Sequence, residues 1–264
     1  MSANYTLGAQ PSPPDSRDYA IKTYLPESPP PLPKSRDFSG VMQDIRNQGA
    51  EGTCVGPALA SGVMGYEEKT ILGPDGKAIN KVLSVRDAFM NGGGKVGGNG
   101  IAPRNALQGA RDMGVCLEID RPYTPNQDSP LSANALSNRL LNKLSAYASV
   151  PTDTDNMKQA IYWHGPILIV IPVTPSFYSP DANGFVGEDD DSTIHGYHAV
   201  TLDAWDDDRQ AFGLRNSWGA DWGHMKGRCW YRYTFKRTEA WSAVGGESST
   251  PVPAAPWWAH LFGW

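Results

Sequence analysis

The run Ile167-Leu168-Ile169-Val170-Ile171 constrains this chain more than any other stretch. Four of its five residues are β-branched, which favours an extended backbone in a dry setting. It continues to Val173 through Pro172. A membrane-spanning helix needs about 20 apolar residues, so this run is far too short to be one and is predicted to be a buried strand. Residues 198–205 read as a second strand, with Asp206-Asp207-Asp208 as its turn. Residues 211–214 and 229–235 read as two more. A turn-rich, tryptophan-rich segment, 216–227, lies between those last two.

The chain before this run has the opposite character. Val55, Leu59, Val63 and Tyr66 recur at helical spacing. Residues 82–90 and 105–113 are further helix candidates, the latter stopped by Gly114. Residues 132–144 hold another, and 154–164 one more, ended by Gly165-Pro166. Gly92-Gly93-Gly94 and Gly97-Gly98-Asn99-Gly100 mark a loop. The expectation is an α+β body over residues 37–245, with a mainly helical lobe (about 37–150) and a β-rich lobe (about 151–240). A cleft between the lobes is expected to hold the site.

Composition fits one large domain or a domain of two lobes. The chain has 264 residues, of which 40% are hydrophobic, and a net charge of -5. Acidic and basic residues are interleaved, so no basic field predicts a nucleic-acid partner. Three cysteines, Cys54, Cys116 and Cys229, argue against a disulfide scaffold. A Cys116–Cys229 bond stays open, but a reducing compartment is the simpler reading. Residues 1–10 lack the basic start and apolar core of a signal peptide. The expected location is therefore cytoplasmic, or exported without such a signal.

Both ends differ from the body. Residues 1–36 form a proline-rich arm, with Pro26, Pro29, Pro30, Pro31 and Pro33 favouring an extended chain. Tyr19, Ile21, Tyr24 and Leu25 give it anchors, so it is expected to lie over the body or the cleft. Residues 246–264 read as a linker and a tail holding Trp257, Trp258, Phe262 and Trp264. Packing on the body, docking and self-association are the roles open to that tail.

Cys54 is the chemical focus. The segment Gln48-Gly49-Ala50-Glu51-Gly52-Thr53-Cys54 runs straight into the first predicted helix. With Thr53 as its cap, the helix start favours a thiolate and lowers the thiol pKa. Pro57 then removes the first intrahelical N–H, so an irregular first turn is expected. A cysteine nucleophile needs a base, and the base needs an orienter. His198 stands at the mouth of a predicted strand, and Asn216 follows another. Asn216 would accept the imidazole N–H and fix its tautomer. Trp218 would shield that bond, while the Gln48 amide and the Cys54 N–H would hold an oxyanion. Each residue also has an ordinary reading. Cys54 serves as core, His198 as a satisfied sheet histidine, Asn216 as a turn residue and Gln48 as a solvated one. His195, three residues from His198, competes as the base.

Three motifs in order, Gln48-Gly49-x-x-Gly52-Thr53-Cys54, His198-Ala199-Val200, and Arg215-Asn216-Ser217-Trp218-Gly219-x-x-Trp222-Gly223-x-x-x-Gly227, resemble the papain-like cysteine peptidases. The likeness covers residues 37–235. It implies a two-lobe fold and peptide-bond hydrolysis through a thioester, with no cofactor or metal. It further implies Cys54 as nucleophile, His198 as general base and acid, Asn216 as orienter and Gln48 as oxyanion amide. Trp218 and Trp222 match the aromatics that cover the asparagine and line the cleft. The loop Gly98-Asn99-Gly100-Ile101-Ala102 resembles the one that pairs its backbone with bound peptide. Ile169 resembles a specificity-pocket residue, and Tyr197 joins the substrate-binding set.

Departures from the family pattern are Val55 after the nucleophile, Gly56-Pro57 behind it, and Glu51 in place of a partner cysteine. Glu51 is expected to raise the thiol pKa or repel acidic substrates. No long prodomain fits in about 36 residues, so the chain looks more like short bacterial members. The partner expected is a peptide or protein substrate, with no nucleic acid and no membrane span. A dedicated processing or isopeptide-cleaving thiol hydrolase is one alternative, and a non-enzymatic papain-fold binding protein is another. Metal binding through residues 188–191 with His195 and His198 rests on spacing alone, and the acidic run reads as a solvated loop.

Overall fold

A computed structural model describes residues 5–70, 80–186 and 193–244. Its framework is a seven-stranded antiparallel sheet. The strands are β1 (Ser35–Asp37), β2 (Ala146–Val150), β3 (Ile167–Val173), β4 (Gly196–Asp206), β5 (Ala211–Arg215), β6 (Arg228–Arg232) and β7 (Glu239–Val244). Their order is β2-β7-β3-β4-β5-β6, with β1 paired to β4. The apolar run forms β3, between β7 and β4. Period-2 alternation divides it between two cores. Leu168 and Val170 pack with Cys54 and the helices, whereas Ile167, Ile169 and Ile171 face Val200, Leu202 and Trp218. Burial on both faces is why the run shows no polar alternation.

Helix α1 (Val55–Pro57) passes through a π-helical stretch (Ala58–Val63) into α2 (Met64–Thr70). Helices α3 (Val85–Asn91) and α4 (Pro103–Asp112) complete the packing around this buried helix. Ser84 caps α3 by accepting the N–H of Asp87 at 3.0 Å. Helix α5 (Ala133–Arg139) is shorter than its predicted 132–144, and α6 (Thr154–His164) matches its prediction. Residues 146–150, read with the helical half, form β2 against the unpredicted β7, in register from Ala146↔Val244 to Val150↔Ala240. Both strands are short and rich in alanine and serine, a composition with little strand signal of its own.

Cys54, Cys116 and Cys229 are all buried free thiols, so the Cys116–Cys229 bond is not formed. Among the described residues, no helix is long and apolar enough to cross a membrane. No cluster of metal-ligating side chains is found among them either. The acidic run 188–191 and the tail 246–264 lie outside the described residues.

Candidate active site

Cys54 itself is the N-cap of α1, one residue later than expected. Thr53 does not cap the helix; its hydroxyl bonds the Tyr123 hydroxyl at 2.6 Å. This shift places Pro57 third in the helix, where an N–H has no intrahelical acceptor. The proline therefore costs no hydrogen bond. The irregularity comes next, in the π-helical stretch. There the Thr201 hydroxyl donates to the Ala58 carbonyl at 3.2 Å. Gly62 is needed at the same crossing, because a Cβ there would collide with the Thr201 hydroxyl. The helix behind the cysteine is thus tied to β4 three residues beyond His198.

His198 and Asn216 meet across β4 and the end of β5. His198 Nε2 lies 2.7 Å from Asn216 Oδ1, which also accepts the Ser217 N–H at 2.8 Å. Two contacts on one oxygen fix the amide orientation. Nε2 must then carry the proton, and the other ring nitrogen, Nδ1, is buried without a hydrogen-bond partner. Trp218 covers the pair, its ring stacked on the imidazole at 4.7 Å, and Trp222 meets Trp218 edge-on at 5.6 Å. The competing His195 is exposed, with Nδ1 3.4 Å from the Tyr178 hydroxyl.

The Cys54 sulfur accepts the N–H of Ala199, the residue after His198, at 3.4 Å. Burial pushes the thiol up to about 11, against the lowering expected from a helix start. The same burial pushes His198 down to about 4, only partly offset by Asn216. In this state both groups are neutral.

Gln48 is fully buried and doubly fixed. Its N–H donates to the Ser217 carbonyl at 2.9 Å, and its Oε1 accepts the Ser217 hydroxyl at 2.7 Å. Its NH2 is thereby aimed at the Glu51 carbonyl (2.8 Å) and the Thr6 carbonyl (2.9 Å). The second contact is the unexpected one, because it brings residues 5–10 of the arm into the cleft. Ala9 N–H donates to the Tyr197 carbonyl at 3.2 Å, Gln10 N–H to the Ile101 carbonyl at 3.0 Å, and Ile101 N–H to the Gly8 carbonyl at 3.1 Å. The Gln10 amide reaches the carbonyls of Asn99 and Gly100. Of the loop residues, Ile101 pairs with the arm, Gly98 lies behind Gly52, and Ala102 caps α4. Ile169 is not among the residues brought together here. It is fully buried in the core on the far face of β3, because its odd-numbered register points away from Cys54.

Glu51 differs most from expectation. Its carboxylate is buried and takes both Nη atoms of the fully buried Arg86 at 2.8 and 2.7 Å. It also accepts the Asn126 N–H at 2.9 Å and the Tyr123 hydroxyl at 3.2 Å. Arg86 holds the carboxyl below its usual range despite the burial. A paired, buried carboxylate neither repels substrate nor governs the thiol; it clamps the 48–54 turn to α3 and the 121–126 loop.

An α+β chain whose cysteine heads a buried helix, facing a histidine–asparagine pair on an antiparallel sheet, has the papain-like architecture. A family model described as papain family cysteine protease matches residues 32–246, and the chain belongs to that family. It is 27% identical over 198 residues to a cathepsin L-like proteinase of Phaedon cochleariae, covering 72% of this chain and 58% of that protein. It is 25% identical over 229 residues to the cysteine endopeptidase RepA of Oryza sativa subsp. japonica, covering 84% of this chain and 58% of the relative. The chain thus spans less than two thirds of the length of these relatives. Xylellain, a cysteine protease from Xylella fastidiosa, superposes with a TM-score of 0.74 at 22% identity, covering 92% of this chain and 97% of xylellain. Bromelain from Ananas comosus, in complex with the E64 inhibitor, does so at 0.62 and 20%, covering 81% and 100%. At such identities the structural likeness speaks for the fold.

Proposed function

We propose that this chain is a cysteine peptidase acting through Cys54, His198 and Asn216. The observation that carries this reading is the 2.7 Å His198 Nε2–Asn216 Oδ1 contact, which leaves Nδ1 as the free basic nitrogen. Proton transfer from the thiol to Nδ1 gives a thiolate–imidazolium pair. The sulfur attacks a peptide carbonyl, and the oxyanion is held by the Gln48 Nε2–H and the Cys54 N–H. Imidazolium gives its proton to the leaving amine, whose C–N bond breaks to leave a thioester. Neutral His198 then takes a proton from water, hydroxide adds to the thioester, and the acid product leaves as the thiol is restored.

Cleavage of a panel of unrelated peptides, with and without an epoxide probe such as E64, tests this. Cys54→Ala is expected to abolish both turnover and labelling, and full activity in that variant would sink the assignment. His198→Ala should lose more than Asn216→Ala, and the reverse order would reassign the orienter. Broad cleavage across the panel argues for a general peptidase. Cleavage of one sequence alone would support a dedicated processing enzyme instead.

A further inference from the structure

We infer that the small polar cavity beside the His198–Asn216 pair is a binding site for a monatomic anion, chloride, held by Arg46, Arg215 and the Asn216 amide. The cavity lies between the helix that Cys54 heads and strands β4 and β5. Its polar lining is Arg46, Ser61, Thr201, Arg215, Asn216 and Ser217. It has room for about one water-sized occupant.

Hydrogen bonding in this lining leaves donors over. Thr201 gives its hydroxyl proton to the Ala58 carbonyl, and Ser217 gives its own to Gln48 Oε1. Ser61 Oγ accepts from Arg46 Nε at 3.0 Å. Asn216 Oδ1 is spent on His198 and the Ser217 N–H. The Asn216 Nδ2, by contrast, is buried with no hydrogen-bond partner among the described residues. Arg215 is buried too, and its guanidinium carries several N–H donors. Among the described residues they make a single hydrogen bond, from Nη2 to the Gln43 carbonyl. A buried amide and a buried guanidinium in this condition call for an acceptor.

Charge selects an anion over a water for that role. Arg215 has no carboxylate within ion-pair distance among the described residues. The buried carboxylate that acts on it, Asp203, is committed to another cation, with Arg228 Nε on Oδ2 at 3.0 Å and Nη2 on Oδ1. Arg46, the second guanidinium on the cavity, stands 3.8 Å from Glu118, whose oxygens already accept the N–H groups of Val85 and Tyr123. Burial pushes Arg215 down to about 10, only partly offset by Asp203, and the Arg228 and Arg46 charges push the same way. A buried cation is costly until a counter-charge reaches it. A monatomic anion supplies one at the size available; phosphate and organic carboxylates are too large. It shares the Asn216 side chain with His198, Nδ2 on the anion and Oδ1 on the ring. Negative charge there favours the imidazolium that a thiolate partner requires. This last consequence rests on the peptidase reading, whereas the site itself does not.

The test uses the full chain at fixed ionic strength, with gluconate, too large for the cavity, replaced stepwise by chloride or bromide. The Tm of the wild type should rise and saturate, by roughly 3–6 °C when the halide reaches about ten times its half-saturating concentration. Arg46→Gln should raise that concentration at least about tenfold, and Arg215→Met should abolish the rise. Should Arg215→Met fail to fold, Arg46→Gln, at a partly exposed residue, carries the comparison. Crystals grown in bromide should show an anomalous-scattering peak between Arg46, Arg215 and Asn216. Absence of that peak makes the occupant a water and overturns the proposal. Equal Tm in halide and gluconate overturns it as well, as does a halide response unchanged in the variants. Peptide turnover that is the same in chloride and gluconate, with the halide bound, overturns the link to His198. Absence of turnover in every salt would fail the peptidase reading while the anion site stands.

Discussion

At the scale of single residues, the site depends on a buried ion pair that no motif advertises. Glu51 stands between Gln48 and Cys54 in the chain, with its carboxylate on Arg86 and its carbonyl accepting from the Gln48 Nε2. Glu51→Gln leaves a fully buried guanidinium without its charge partner, a change that typically costs about 3–5 kcal/mol. Urea unfolding of that variant should show a loss of this size. The double variant Glu51→Leu, Arg86→Met should lose less than Glu51→Gln alone, because no unpaired charge remains. A larger loss in the double variant would mean that the clamp contributes net stability. If Gln48 is the oxyanion donor proposed above, Gln48→Ala should lower kcat by about 10²–10³-fold with little change in KM. A KM effect alone would assign Gln48 to substrate binding. Cys54, His198, Asn216 and Gln48 were legible in the sequence because short motifs hold each of them. The Glu51–Arg86 pair was not, because its members are 35 residues apart and only the packing of α3 against the 48–54 turn joins them. Ile169 was misplaced for a related reason. Residue spacing along a fully apolar strand does not say which face each side chain takes.

At the scale of elements, the arm is several pieces with different jobs, which the proline count of residues 1–36 concealed. Residues 5–10 lie in the cleft. The Ser12 N–H bonds Glu239 at 3.1 Å, and Arg104 pairs with Asp18, pinning the next stretch to α4 and β7. Ala20 bridges to Ser149 of β2, and Ile21 is fully buried in the main core. The Pro33 carbonyl accepts the Trp205 indole N–H at 3.1 Å just before β1 joins the sheet. Removing residues 1–36 would therefore strip core and sheet together with the cleft segment. Ile21→Ala should destabilise the whole chain by about 2–5 kcal/mol, as truncation of a fully buried aliphatic side chain does. It should leave Cys54 alkylation slow at temperatures where the fold persists. A variant that unfolds no more easily than wild type would place Ile21 outside the cooperative core. The helices and central strands were readable from periodicity because each has a clear apolar pattern. β2 and β7 were not, since they are fixed by pairing with each other between residues 90 to 98 positions apart in the chain.

Across the whole molecule, arm, helix lobe and sheet meet at two titratable groups, so closure of the cleft is linked to protonation. The covered state holds His198 near pKa 4, against an ordinary value of 6.5. In any open state where solvent reaches the ring, the value is expected to return toward the ordinary one. Between these limits the open state binds more protons than the covered one. The sign follows directly: covering is fully favoured above about 6.5 and weakens as pH falls through the window, with the loss complete below about 4. Hydrogen exchange at the Ala9 and Gln10 amides reports covering, since both donate to the groove walls. Corrected for the intrinsic pH dependence of exchange, their protection should decline from pH 6.5 to 4. His198→Gln should flatten that decline, because it removes the group whose burial sets the window. Persistence of the same decline in His198→Gln would separate the covering of the cleft from the protonation of His198.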